Sequence, residues 1–418
     1  MRNKGGTAIV PHARKTSSLR ISGVVFALAA LVLGACGSSK SSKSASSNTT
    51  AASNKSPYEL AVDTDLSGPF SAPAGIPLSE GFQAYIESIN AKGGVNGHKI
   101  NVTLYDDRSD VQTAVANYQK IVDSKAIGLV GVTASAVWAV LGPKAEGDGL
   151  LQTGIGGDQF VLTPYKWVFK IQMLGGDIGR NQVKFASKLA TDKNIATPTV
   201  SIIAYDSPGN RQWVDAVTKE VQSKNWKLAE TQYVPTSTTD FSGVAAKVAA
   251  AKSDFVLTVV LEAQLPGFVT AMRGHGVKAP IINGVTNISD KVLTSIADSD
   301  LYLARDVASV ADTSNPGVQE MMQVAKSTGH EKGIEGPAYI QAYVHAKVVV
   351  EALKACGDNC TRATFRDKLE TAKSNSNGLT GPPGYVPDKH VMLNQPTIVH
   401  LDTSVGHAVP VKGFEFPS

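Results

Sequence analysis

Short apolar runs, polar turns and stretches of helical period follow one another through most of this chain. Leu78, Phe82, Tyr85, Ile86 and Ile89 recur at i, i+4, i+7, i+8 and i+11, one face of a helix. Gly93-Gly94 stops that helix, and 100–105 reads as the next strand. Residues 111–125 read as a helix, 127–132 as a buried strand and 150–153 as another strand. The pattern restarts after Gly175-Gly176. Strands at 199–205, 226–233, 255–261 and 280–285 alternate with helices near 178–191, 210–224, 240–252 and 263–275. Residues 255–261 are apolar on both faces, as a central parallel strand must be. One more strand is expected after Asp306, then helices near 315–328, 337–356 and 361–372. A Gly/Pro-rich stretch at 378–387 and a terminal strand around 398–401 complete the chain. This alternation predicts an α/β fold of two successive units, each a parallel sheet covered by helices, joined by several crossings.

The first residues break the pattern. Arg2, Lys4, Arg14, Lys15 and Arg20 precede an apolar stretch at 24–33, with no acidic residue before Cys36. A bilayer span needs about 20 apolar residues, so this stretch is too short to cross and reads as a secretory signal. Leu33-Gly34-Ala35-Cys36 resembles a bacterial lipobox. The resemblance implies a leader at 1–35, acylation of Cys36 and an extracytoplasmic protein lipid-anchored to the cell membrane. Residues 37–56 are almost wholly Ser, Lys, Ala, Asn and Thr, too polar to offset their ordering entropy, and predict a disordered tether with Cys36 at its start. The remainder, 57–418, is long enough to favour two domains.

The chain holds 40 basic and 36 acidic residues, a formal net charge of +4. Five of the basic residues lie in the leader, which leaves 35 against 36. The positive balance therefore belongs to the leader, and no nucleic-acid partner is expected. Besides Cys36, only Cys356 and Cys360 occur, four apart around Gly357-Asp358-Asn359. In an oxidising compartment that spacing predicts a local disulfide closing a turn. A metal site would need further ligands nearby, and redox chemistry would favour Cys-x-x-Cys.

Several pieces carry a family likeness. Asp65-Leu-Ser-Gly-Pro69 follows a strand, and the next helix ends in Ile89-Asn-Ala-Lys-Gly-Gly-Val-Asn-Gly97. Tyr105-Asp-Asp107 closes a strand, and Ile127-Gly-Leu-Val-Gly131 precedes Thr133-Ala-Ser135. Lys166-Trp-Val-Phe-Lys170 and Asp254-Phe-Val256 continue the series. In this order they resemble the leucine/isoleucine/valine-binding family of ABC-transporter substrate-binding proteins. The resemblance implies the type I periplasmic-binding fold: two Rossmann-like lobes with parallel sheets, joined by three hinge crossings and closing on a ligand. By analogy, lobe 1 takes 57–176 plus 309–384, and lobe 2 takes 177–308 plus 385–418.

Ligands of parallel α/β sheets bind beyond the carboxyl ends of the strands. That rule nominates Ser67 to Phe70, Thr133 to Ser135, Gly156, Gly157 and Asp158, Tyr205 with Asp206, and Glu262. The family's carboxylate-binding serine falls on Ser135, where a hydroxyl and free N–H groups at a helix start suit an anion; capping its own helix is the alternative role. Asp158 stands where relatives carry a hydroxyl. It either accepts from a ligand ammonium or caps the segment that follows. Glu262 is the second candidate acceptor, or else a rim carboxylate. Phe70 and Trp138 either wall the cleft or belong to the core. Two departures from the family grip appear: Pro208 stands where a tyrosine is usual, and the usual acidic residue would fall near Val285 or Thr286.

Enzymatic motifs do not assemble. Gly154-Ile-Gly156-Gly-Asp-Gln159 lacks the third glycine of a dinucleotide loop, and neither a Gly-x-Ser-x-Gly elbow nor a phosphate-binding loop occurs. The expectation is a non-enzymatic, cofactor-free and metal-free monomer that captures an amino-acid-like solute and delivers it to an ABC permease. An amide or aromatic acid as ligand, or a sensory receptor of the same fold, are the alternatives.

Overall fold

The computed structural model describes residues 55–156, 165–387, 389–393 and 395–416. Cys36, Gly157 and Asp158 lie outside the described residues. The first unit runs β1 (Tyr58–Thr64), α1 (Ile76–Ala91), β2 (Ile100–Asp106), α2 (Val111–Asp123), β3 (Gly128–Val132), α3 (Ser135–Asp148), β4 (Leu151–Gly154) and β5 (Val168–Lys170). Its sheet has the order β2-β1-β3-β4-β5, with every pairing parallel. The apolar stripe foreseen for α1 is inward: Leu78, Phe82 and Ile86 are buried, and Tyr85 and Ile89 pack beside them. Gly93 and Gly94, at φ 106° and 81°, turn the chain out of the helix.

The second unit runs α4 (Gly175–Asp192), β6 (Thr199–Tyr205), α5 (Pro208–Ser223), β7 (Lys227–Val234), α6 (Ser242–Ala251), β8 (Phe255–Val259), α7 (Leu265–Gly274), β9 (Ile281–Asn283), α8 (Asp290–Ile296) and β10 (Leu301–Arg305). Its sheet has the order β12-β11-β10-β9-β8-β6-β7. The last two strands, β11 (Thr397–Asp402) and β12 (His407–Pro410), are antiparallel additions. All five residues of β8 are buried, in keeping with its central place. The strand expected after Asp306 lies before it instead. Leu301 and Leu303 alternate into the core, and Asp306 opens a crossing. Neither α8 nor β12 was foreseen, being short and without an apolar period. Ser289 caps α8, and β12 exists by pairing with β11.

Three helices return to the first unit: α9 (Pro316–Thr328), α10 (Pro337–Cys356) and α11 (Arg362–Thr371). Helix α10 is buried over most of its length and packs on α1. A β-carbon at Gly81 would stand 2.3 Å from the Tyr339 carbonyl, so only glycine permits that approach. Among the described residues the chain passes between the units three times, between Ile171 and Met173, between Arg305 and Val307, and between Leu393 and Thr397. Tyr385, Met392 and Leu393 lie in the first unit's core, so the chain leaves it later than the expected boundary after residue 384.

Cys356 and Cys360 form the expected disulfide, with Cα atoms 5.2 Å apart. Their loop holds the start of β1. Tyr58 donates to the Gly357 carbonyl at 2.9 Å, and Lys55 pairs with Asp358 at 2.7 Å. His98 sits 3.1 Å from the same carboxylate and 2.6 Å from the Ser56 carbonyl. Closing so small a loop restricts the unfolded chain by about 2 kcal/mol in the chain-entropy treatment. The C356S/C360S variant is expected to melt a few degrees lower and to be cleaved faster around residues 55–58. Scanning calorimetry and limited proteolysis check both.

Candidate functional site

Neighbours of β1 and β6 depart in opposite directions, so each sheet has a topological switch point at its carboxyl edge. In the first unit that edge is shaped by carboxylates. Asp65, wholly buried, accepts from the Phe70 amide and the Ser109 hydroxyl at 2.9 and 2.7 Å, and also from the Gly68 amide. Asp106 accepts from Ser67 and the Leu66 amide at 2.6 and 2.9 Å. The loop carrying Ser67 and Phe70 is therefore held from below. A β-carbon at Gly75 would lie 1.7 Å from the Asp65 carbonyl, which obliges a glycine where the chain turns back over Asp65. The Phe70 ring is half-buried and packs against the first core.

The anion side centres on the start of α3. Ala134, not Ser135, is the N-cap, and no side chain caps this end. Ser135 is the first helical residue, so the capping role gives way. The first-turn N–H groups have no intrahelical acceptor and carry the positive end of the helix dipole. Beside them, the buried Thr133 hydroxyl has no partner. Gly156 lies against this turn: a β-carbon there would stand 1.9 Å from the Thr133 carbonyl. Trp138 is fully buried, and its indole N–H donates to the Val132 carbonyl at 3.0 Å. It is a support beneath Gly154 and Gly156, not a cleft wall, because helical spacing from Ser135 turns it inward.

Across the cleft, Tyr205 ends β6 and packs half-buried against the second core. Burial raises its phenol pKa, so it is a neutral hydroxyl. Glu262 is not a free rim carboxylate. Its Oε1 accepts from the Ser289 amide at 2.9 Å and from the Ser289 hydroxyl, fastening the start of α8.

Sequence reasoning missed the polar cluster between the units. The Gln172 amide, in the first crossing, donates to Thr286 Oγ1, Asn287 Oδ1 and Gln341 Oε1 at 3.2, 2.9 and 3.1 Å. Gln341 in turn donates to Asp306 at 2.7 Å. Thr286 and Asn287 follow β9, whereas Gln341 belongs to α10, so one amide bridges both units. Burial pushes Asp306 up to about 6, against the bond from Gln341. Arg305 is 2% exposed, pairs with Asp290 at 2.7 Å and donates to the Ile288 carbonyl at 2.6 Å. The available signal was a glutamine inside the otherwise apolar start of α10.

Among the described residues, no group of three or more His, Cys, Asp or Glu is placed to hold a metal ion. No described helix is long and apolar enough to cross a membrane.

A family model described as periplasmic binding protein matches residues 57–405. The Leu/Ile/Val-binding protein homolog 1 of Brucella abortus is 23% identical over 318 residues, 75% of this chain and 81% of the relative. A solute-binding protein of an ABC transporter from R. palustris, solved with 4-hydroxybenzoate, superposes with a TM-score of 0.74 at 15% identity. The match covers 87% of this chain and 97% of that one. A branched-chain amino-acid ABC transporter protein from Thermus thermophilus, solved with valine, gives 0.74 at 16% identity with the same coverage.

Proposed function

Because this chain belongs to the periplasmic binding protein family, we propose that it is the solute receptor of an ABC importer and captures a small carboxylate between its two lobes. The observation that carries the reading is the uncapped start of α3, with the Thr133 hydroxyl unpartnered beside it. Valine and 4-hydroxybenzoate, found in two structural neighbours, differ in every group except the carboxylate. A carboxylate is what a helix N-terminus with two hydroxyls suits best. Ser135 and Thr133 hold it beside Gly156, and Gly157 is the next candidate to contact it. Phe70 and Tyr205 supply ring faces. An amino acid brings an ammonium as well, which falls to Asp158 or to Glu262 Oε2. An aromatic acid brings none and needs neither.

The remaining parts follow from the same reading. Cys36 carries the lipid anchor, and 37–56 tethers a monomer that opens and closes about its three crossings and docks on a membrane permease. A thermal-shift panel of amino acids, amides and aromatic acids tests the ligand class. A ligand at 100 times its dissociation constant stabilises by about 2.7 kcal/mol. The T133V/S135A variant is expected to bind the responding acid at least tenfold more weakly, the value of about 1.4 kcal/mol for lost charge-assisted bonds. Unchanged affinity would sink the assignment of the α3 terminus.

A further inference from the structure

A groove of about 370 Å³ lies between the first turns of α4 and the segment that leads into the third crossing. None of the described candidate-site residues lines it. Its floor is apolar, made by Leu174, Val391 and Pro396, and its rim is cationic, made by Arg180, Lys184 and Lys389. Asp177 is the one carboxylate among the described lining residues. It pairs with Arg180 in an exposed i,i+3 contact, the kind that contributes little and exchanges partners readily. The Lys184 ammonium stands 5.6 Å from the centre of the Phe414 ring.

One further residue points to an occupant. Asn181 lines the groove, is only 9% exposed, and its amide nitrogen has no hydrogen-bond partner. Buried amide donors are normally satisfied, and an unmade bond there is costly. Among the described lining residues, three cations, one carboxylate and an unused donor favour an oxyanion carrying two charges. An apolar floor favours a ring or short alkyl body over a bare ion. A volume near the lower end of ligand pockets limits the body to about one ring.

We propose that this groove is a second ligand site, for a small organic dianion whose oxygens meet Arg180, Lys184, Lys389 and the Asn181 amide. Its apolar body lies on Leu174, Val391 and Pro396. Helix α4 opens the second unit and Val391 is in a core of the first, so an occupant touches both. The site does not rest on the ligand assigned to the cleft.

Isothermal titration of the purified protein with phenyl phosphate tests it, with phthalate, benzoate and inorganic phosphate as comparison probes. Saturable binding of phenyl phosphate or phthalate is expected. In T133V/S135A, where the cleft site is weakened, benzoate, lacking the second charge, and inorganic phosphate, lacking the body, are expected to bind at least tenfold more weakly. R180Q/K184Q, both exposed positions, should weaken the dianion at least tenfold while melting normally. N181L should weaken it severalfold, and T133V/S135A should leave it unchanged. No saturable heat, dianion binding that survives R180Q/K184Q, or loss of binding in T133V/S135A would each overturn the proposal. Benzoate or inorganic phosphate binding T133V/S135A as tightly as phenyl phosphate does would overturn the ligand class.

Discussion

Replacing Arg305 by alanine is expected to destabilise the fold by about 3–5 kcal/mol, the range for stranding one member of a buried ion pair. Arg305 ends β10 with 2% of its surface exposed, and two partners hold it there. Asp290, on α8, loses its cation in the variant yet remains mostly buried. The Ile288 carbonyl loses a charge-assisted donor at the same time. Both partners belong to the loop and helix after β9, which also carry Thr286 and Asn287. The loss therefore loosens the second lobe's side of the cleft as well as lowering global stability. A companion variant separates the pair from its surroundings. In R305M/D290L both charges are gone, so most of the stability is expected to return, because the charge left behind causes most of the cost. Urea denaturation of the three proteins checks the order, with R305A the least stable. If R305A and the double variant were equally unstable, packing at residue 305 and not the unpaired carboxylate would be the cause.

What could be read in the sequence follows what periodicity encodes. α1 and β8 were legible because burial writes a period of 3.6 or a continuous apolar run into the chain. Arg305 and Gln341 were not, because a buried polar residue is recognised only by its partners, and those lie far away in sequence. The same limit separates the two halves of the candidate site. Thr133, Ser135 and Gly156 could be nominated because the carboxyl ends of parallel strands are predictable once the strands are. Trp138 stayed open between wall and core, since position near a site does not say which face of α3 it occupies; its indole turns inward to Val132. Glu262 was found at the right strand end, but its tie to Ser289 depends on α8, a helix too short to show a period. The disulfide was legible because Cys356 and Cys360 close a loop within one turn of chain. Its use in fastening Lys55 and Tyr58 was not, since that contact joins positions about 300 residues apart.

Raising the pH from 6.5 to 8 is expected to lower the stability of this protein, and the Asp63→Asn substitution to remove most of that slope. Burial, with the neighbouring charge of Asp107 second, pushes Asp63 up to about 8, against the bond it accepts from Asn117 at 3.1 Å. A carboxyl whose pKa is raised on folding keeps a proton that the unfolded chain releases above about pH 4. Its contribution is therefore intact below that value and is lost progressively as the pH climbs to about 8. Asp107 and Asp306, each pushed up to about 6 mainly by burial, act in the same sense at lower pH. His345 acts oppositely. Burial alone pushes it down to about 3, so below about pH 6.5 the unfolded imidazole takes up a proton that the folded one refuses. Above pH 6.5 His345 is neutral in both states, and Asp63 dominates the slope at about 1.4 kcal/mol per pH unit. Asparagine at 63 retains an oxygen to accept from Asn117 and carries no charge to bury. Urea midpoints at pH 6.5 and 8 should fall for the parent and stay level for D63N, with D63N the more stable at pH 8. Parallel slopes for the two proteins would mean that Asp63 is ionised in the folded state, like any exposed carboxylate. The edge of β1 beneath the Ser67–Phe70 loop would then be far wetter than its burial implies.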